Sequence, residues 1–219
     1  MSEFGKALFL FLSALFPIVD PLGGSPIFLA LTEGYSRDTR RALSRRIAFY
    51  SIYLLMASYL IGAHVLAFFG ISLPVVQVSG GLVVMTTGWT MLKQPDETER
   101  SEVKTSVQTP DPFLRAFYPL TLPLTVGPGS ISVAITLGAN GTRHGRIDAV
   151  AILAALVGSL LLAFIIYICF GFADRVARIL GPTATIVVTR LSAFLLLCIG
   201  VQIMWNGISA LLASLPAAR

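Results

Sequence analysis

Asp20 is a carboxylate inside a long apolar run, and its neighbours are residues that break helices. Phe16 to Leu31 reads FPIVDPLGGSPIFLAL, with Pro17, Pro21 and Pro26 placed around Gly23, Gly24 and Ser25. Proline lacks a backbone N–H and glycine reaches dihedrals closed to other residues, so a continuous helix does not pass through this stretch. Two kinds of chemistry are available at such a break. A half-helix starting beyond Gly23 and Gly24, with Ser25 in capping position, aims free N–H groups and the positive end of its dipole into the interior, where an anion or a carboxylate is welcome. Asp20 offers the opposite charge, to an ammonium group or a proton. It is the only acidic residue well inside an apolar span, and an intramembrane carboxylate is expensive enough that function is the default reading. The structural alternative is that Asp20 caps the half-helix or pairs with a fixed cation, and the sequence leaves both open.

The pattern returns halfway along the chain as Tyr118 to Leu137, YPLTLPLTVGPGSISVAITL. The prolines coincide at one offset, since 119−17, 123−21 and 128−26 all equal 102, and at the same shift Phe16 falls on Tyr118, Leu22 on Leu124 and Ala14 on Ala116. This second break centres on Thr125, Gly127, Pro128, Gly129 and Ser130, with Ser130 as the candidate cap. Leu122 stands where Asp20 stands in the first copy, so any role of the carboxylate is one-sided. Thr121 and Thr125 are placed either to bond a polar solute or to satisfy the broken backbone.

The elements that must carry these breaks are membrane spans. The chain is 55% hydrophobic and 12% charged, with a mean hydropathy of +0.81, where soluble domains run near 25% charged. Its net charge of +5 does not point to nucleic acid, because most arginines lie between apolar spans and no basic face carries aromatics. Six spans are predicted: Phe4 to Thr32, Ile47 to Phe69, Pro74 to Leu92, Phe113 to Gly138, Ala149 to Ala173 and Ala184 to Leu212. The first is nearly 30 residues long, against ~20 needed to cross the hydrocarbon core. The excess is its broken middle. Residues 94–112, the one long hydrophilic stretch, form a linker between a first three-span repeat, 1–93, and a second, 113–219. The third spans match when Gly88 is set on Gly200. With three spans per repeat the second copy enters the membrane from the opposite side, so the fold class is all-α integral membrane with 3+3 inverted repeats and spans one and four discontinuous.

Charge sets the orientation. With the N-terminus outside, the inner side receives Arg37, Arg40, Arg41, Arg45, Arg46, Lys93, Arg100, Lys104, Arg115, Arg175 and Arg178, and the outer side keeps Lys6, Arg143, Arg146 and Arg219. Both termini are therefore expected outside. Lys6 followed by ALFLFLSALF has the look of a signal-peptide core, but no small-residue cleavage pattern precedes the break, and the stretch is read as mature structure. Cys169 and Cys198 lie inside apolar runs and read as packed thiols. Arg190 reads as a snorkelling side chain, His64 as a helix residue, and Trp89 and Trp205 as interfacial anchors. Metal and catalytic signatures are absent: there is no HExxH, no paired cysteines and no phosphate loop, and a serine hydrolase built from Ser25 and His64 has no nucleophile elbow. No cofactor and no enzymatic activity are expected.

The pairing of (Asn/Asp)-Pro-x-Gly-x-x-Pro in the first span, here Asp20-Pro21-Leu22-Gly23-Gly24-Ser25-Pro26, with Pro-Leu-x-x-Pro-x-x-x-Gly-Pro-Gly in the fourth, here Pro119 to Gly129, resembles the MarC family of bacterial inner-membrane proteins. The resemblance covers essentially the whole chain, and the family belongs to a wider lysine-exporter-like superfamily in which some members are described as transporters of small neutral amino acids. It implies a secondary transporter of a small zwitterion such as glycine or alanine, coupled to a proton or sodium gradient, with its site at Asp20, Pro21, Gly23, Gly24, Ser25 and Pro26 and at Thr125, Gly127, Pro128, Gly129 and Ser130. It also implies residence in the bacterial inner membrane, in contact with the lipid bilayer. The motif admits Asn at the place of Asp20, so proton coupling through this residue is not required by the resemblance. A channel or exporter for another small solute, or a non-transporting scaffold, are the alternatives. If the charge bias orients the chain as read, a phosphatase fused to the C-terminus is active outside the cell and a fluorescent protein fused there stays dark; the reverse pattern refutes the assignment.

Overall fold

A computed structural model gives the fold of residues 2–93, 112–141 and 148–214. Most of the linker, and the turn bearing Arg143, His144 and Arg146, lie outside the described residues. Every regular element described is helical. Helix α1 (Glu3–Val19) and helix α2 (Pro21–Leu31) together make one apolar span, Glu3–Leu31. Helix α3 (Arg37–Phe68) and helix α4 (Leu73–Lys93) complete the first half. A tight 3-10 turn, Pro112–Ala116, then runs into a wide π-type coil, Phe117–Thr125. Helix α5 (Pro128–Gly141), helix α6 (Ala149–Gly171) and helix α7 (Ala173–Ala213) follow. Five helices are long and apolar enough to cross a membrane, and six spans result if the coil and α5 count as one.

Three elements depart from the sequence reading. The arginine-rich stretch after Glu33 is not a loop but the first turns of α3. Ser36 starts it by accepting from the amide of Thr39 at 3.1 Å, and Asp38 lies in the first turn, where a negative charge suits the helix dipole. At the far end, α7 begins eleven residues ahead of the expected span, at Ala173, and turns a corner at Gly181, whose φ of 68° only glycine adopts without strain. The two broken spans also differ. The first stays a single run, whereas the coil and α5 bend by 70° across their break. Residues before proline are pushed toward extended dihedrals. Tyr118 and Leu122, ahead of Pro119 and Pro123, are extended at φ −124° and −112°, so the second copy departs from helical geometry repeatedly while the first departs once, at Asp20.

The surface is as apolar as the core, unlike that of a water-soluble protein. Phe9, Phe49, Phe68, Phe164, Phe194 and Trp205 are exposed, as is Trp89, while Ser25, Ser44, Ser51, Thr121, Thr125, Ser130, Ser132 and Ser159 are buried. Large apolar side chains thus face lipid, and small polar ones let the helix backbones approach. The longest run of close backbone approaches is the α4–α7 seam. A methyl group on Gly88 would fall 2.7 Å from the Ala193 carbonyl oxygen, and one on Gly81 or Gly200 would fall 2.7 Å from the other glycine's carbonyl oxygen. Gly207 closes in the same way on the carbonyl of Pro74. The contacts step by sevens in opposite directions along the two helices, a heptad seam between antiparallel neighbours. Arg190 closes one end by donating to the Leu92 carbonyl at 2.8 Å, the position a snorkelling arginine takes. A side chain forced into this seam costs ~1–3 kcal/mol or more, so Gly81→Leu is expected to lower the midpoint of unfolding in mixed detergent by that order, while Leu82→Ala on the exposed face of the same turn stays within ~0.5 kcal/mol of wild type.

Candidate functional site

Asp20 ends one helix and starts the next. Its φ of 40° and ψ of 63° are left-handed, a conformation that Asp and Asn tolerate better than other non-glycine residues. Its amide donates to the Phe16 carbonyl at 3.0 Å, closing α1. Its Oδ1 accepts from the Gly23 amide at 3.1 Å, capping α2, with Pro21 at the first helical position, where a missing N–H costs nothing. The same Oδ1 accepts from the Ser192 hydroxyl on α7 at 3.2 Å. Oδ2 is buried and has no hydrogen-bond partner among the described residues. Gly23 has to be glycine here, because a Cβ would stand 2.9 Å from the Asp20 carboxyl carbon.

This geometry moves the start of the half-helix. The sequence reading begins it after Gly24 with Ser25 as cap, but α2 begins at Pro21 because the longer Asp20 carboxylate reaches the third helical amide first. Ser25 is one turn in and buried, and its hydroxyl donates to the Cys169 carbonyl of α6 at 3.0 Å. Gly24 allows α2 to close on the Phe170 ring, 3.4 Å from where a Cβ would lie, and Phe28 stacks on the same ring at 4.8 Å. Pro26 and Ser25 line a cavity of about 370 Å³, counted to its open mouth, which α7 completes with Thr185 and Thr189.

At the second break Ser130 likewise does not cap: its hydroxyl donates back to the Gly127 carbonyl at 3.0 Å. The first-turn amides of α5, those of Gly129 and Ser130, head the helix as at any helix start, without partners inside it. Pro128 supplies the first helical position. Gly129 sits tight against Val84 of α4, and a Cβ there would be 3.7 Å from Ile18. Ile18 is two residues from Asp20, so the start of α5 lies against the last turn of α1. The hydroxyls of Thr121 and Thr125 donate to the Ala116 and Leu120 carbonyls at 2.6 and 2.7 Å. Both therefore serve the backbone of the widened coil, and their protons are committed.

Ser192, Thr189 and Thr185 were not singled out in the sequence. The signal was present: three hydroxyls at spacings of three and four residues mark one face of an otherwise apolar helix. Residues expected to matter less do lie elsewhere. His64 is exposed beside Tyr59, Gly138 and Asp148. Cys169 is buried and Cys198 exposed, both as free thiols. Among the described residues no group of three or more His, Cys, Asp or Glu could hold a metal ion.

Apolar clusters lie on either side of the breaks. Phe11, Leu15, Leu55, Tyr59, Val126 and Leu162 pack toward the end where α1 begins, below a wide vestibule lined by Glu3, Lys6, Asn140 and Asp148. Toward the arginine-rich end, Val19, Phe28, Leu43, Ile47, Leu120, Ile166 and Phe170 form the second cluster. Beyond it Arg40, only 15% exposed, donates to Asp174 at 2.7 Å and through Nε to the Thr32 carbonyl at 3.3 Å. Arg37 approaches the same carboxylate at 3.8 Å.

Five or six apolar helices with buried hydroxyls, exposed aromatics and an intramembrane carboxylate at a helix break define a polytopic integral membrane protein. The sequence pattern of "MarC family integral membrane protein" matches residues 5–212, and the chain belongs to that family. It is 32% identical over 214 residues to the UPF0056 inner membrane protein MarC of Salmonella typhimurium, covering 95% of this chain and 96% of the relative. It is 30% identical over 198 residues to the UPF0056 membrane protein MJ1677 of Methanocaldococcus jannaschii, covering 90% and 93%. No solved structure matches it. Asn keeps both the left-handed preference and the cap, whereas Ala loses a cap worth ~0.5–2 kcal/mol. Asp20→Asn is therefore expected to unfold close to wild type and Asp20→Ala to lose stability by at least that amount in the same detergent assay.

Proposed function

We propose that this protein is a secondary transporter of small neutral amino acids, glycine and alanine being the size class, working by alternating access in the bacterial inner membrane. The observation that carries the reading is the Asp20 carboxylate: one oxygen is used up by the Gly23 amide and the Ser192 hydroxyl, and the other is buried with an acceptor to spare. Buried polar atoms are nearly always partnered, and one that is not calls for a functional explanation. A substrate ammonium or a coupling proton supplies the missing donor. The amides at the start of α5, beside Ile18, offer the complementary place for a carboxylate. Ser25, Pro26, Thr185 and Thr189 border a cavity beside α2, while Pro21, Gly23, Gly24, Thr125, Gly127, Pro128, Gly129 and Ser130 are proposed to shape the two breaks through backbone geometry.

The packing supports reading residues 1–93 and 113–219 as inverted repeats. If α1, α2, α3 and α4 are exchanged for the coil, α5, α6 and α7, the pairs α3–α6 and α4–α7 map onto themselves, and α2–α7 maps onto α4–α5, all of them extensive interfaces. The seam obeys the same exchange at an offset of 112: Gly88 against Ala193 and Leu197 becomes Gly200 against Gly81 and Met85. A two-fold axis in the membrane plane is the architecture that lets two equal halves rock about a central site. Under this reading the Arg40–Asp174 pair joins the halves at the arginine-rich end and must part when that end opens, while the vestibule marks the opposite entrance. Names of relatives that include "inner membrane protein" agree with the location, and the arginine bias agrees with termini on the outer side.

The test is uptake of labelled glycine and alanine into proteoliposomes under an imposed pH gradient, with wild type beside Asp20→Asn and Arg40→Ala. Uptake by wild type that Asp20→Asn abolishes supports a role for the Asp20 charge, as proton carrier or ammonium acceptor; uptake that Asp20→Asn spares keeps the transporter and returns Asp20 to a capping role. Arg40→Ala is expected to change the rate several-fold, with Arg40→Asp combined with Asp174→Arg bringing it back. Absence of flux for either amino acid under proton and sodium gradients refutes the proposal, and gradient-driven leak without counterflow identifies a channel instead.

A further inference from the structure

Arg45, Arg46, Phe49 and Tyr50 lie on one face of α3, at the spacings of three and four residues that bring helical side chains together, and they line a shallow groove of about 580 Å³ including its open mouth. The groove straddles a boundary. Both arginines sit immediately ahead of Ile47, where the apolar part of α3 starts, so their guanidinium groups stand at the depth of the lipid headgroups, while Phe49, 66% exposed, points into the region of the acyl chains. Tyr50 is braced edge-on by Phe49 and by Phe117, at ring separations of 6.2 and 5.5 Å. The Arg46 guanidinium lies 4.2 Å over the Phe113 ring. Stacking of this kind uses the face of the guanidinium and leaves its N–H edge free to donate.

This charge is uncompensated among the described residues. Among the described residues the ion pairs at this end involve Arg37 and Arg40 with Asp174, and neither Arg45 nor Arg46 has a carboxylate within ion-pair distance. Two adjacent guanidinium groups above an exposed aromatic ring match one chemistry: a phosphodiester carrying negative charge and attached to acyl chains. We propose that this groove binds an anionic phospholipid, its phosphate between Arg45 and Arg46 and its chain along Phe49. The site stands apart from the helix breaks and does not depend on the transport reading. It touches the turn Pro112–Ala116 through Phe113 and the coil Phe117–Thr125 through Phe117, so an occupied site also braces the segment that leads into the second break.

The experiment is native mass spectrometry of the full chain in neutral detergent, titrated with phosphatidylglycerol and, separately, phosphatidylcholine of the same acyl chains. Wild type is expected to retain phosphatidylglycerol preferentially, and Arg45→Gln with Arg46→Gln to weaken that binding about 30-fold, the loss expected for two juxtamembrane arginines. Arg175→Gln with Arg178→Gln removes the same charge from the same end and is expected to leave the affinity within about threefold, since those residues line a different surface. Equal retention of the two lipids, or equal losses in the two double variants, overturns the proposal. Displacement of phosphatidylglycerol by equimolar glycerol phosphate also overturns it, because the site would then recognise a soluble phosphate. Arg45→Lys with Arg46→Lys keeps the charge without the planar donor edge; an intermediate loss in this variant supports the geometry described, and a loss as large as that of the glutamine pair in a chain that has lost its helical circular dichroism returns the decision to the lipid comparison in wild type.

Discussion

Everything at the centre of this protein follows from the cost of exposed backbone at membrane depth. Where a helix is interrupted, amides and carbonyls lose their partners, and in an apolar interior each must find another. The first break solves this with one residue. The Asp20 amide closes α1, its carboxylate caps α2, and its left-handed dihedrals join the two helices into one apolar span. The second break has no carboxylate, since Leu122 stands in its place, and solves the problem by spreading it. The coil widens, Thr121 and Thr125 return hydroxyl bonds to carbonyls five residues back, and the span bends by 70°. Two copies of one motif thus reach different geometries because one has a side chain able to cap and the other does not.

The two solutions leave different residues of binding capacity. A carboxylate capping one amide has spare lone pairs by its nature, and the Ser192 hydroxyl takes up only part of them. Threonines that bond their own helix have given up their donors. In the transporter we propose, the first break takes a ligand's positive charge and the first-turn amides of α5 take a negative one. Around this pair the fold is stiff in some places and loose in others. The α4–α7 seam, glycine against backbone at three levels spanning two heptad steps, is a post that does not slide without collision. Where α7 meets the first break and α5 meets α4, single hydroxyl bonds add to the packing, Ser192 to Asp20 and Ser132 to the Val76 carbonyl at 2.9 Å, and such bonds break and reform at small cost.

The arginine-rich end divides its charges among distinct tasks. Arg40 is nearly buried and locks Asp174 to the end of α2. Arg41 and Arg175 flank the Phe172 ring at 5.1 and 5.4 Å, tying the start of α3 to the turn between α6 and α7. Arg115 reaches the Tyr35 hydroxyl at 3.4 Å. Arg45 and Arg46 have no carboxylate partner among the described residues and face outward at the level where the apolar surface begins. Charge count alone treats these residues as one orientation signal; their partners separate a latch, two braces and a lipid-facing pair.

The sequence by itself determined the membrane class, the span boundaries to within a few residues for α4 and α6, and the location of both breaks, because hydropathy and the positions of proline and glycine are local properties that no tertiary contact overrides. It also marked Asp20, since a lone carboxylate in an apolar run is conspicuous whatever surrounds it. It could not tell that Asp20 rather than Ser25 caps α2, because the two differ only in which oxygen reaches an amide first. Nor could it tell that Ser25 bonds the Cys169 carbonyl across 144 positions, that Ser192 bonds Asp20 across 172, or that the second break bends while the first does not. Those outcomes depend on which helices become neighbours, and neighbours are chosen by the fit of whole surfaces, above all the glycines of α4 and α7, rather than by any residue's own preference.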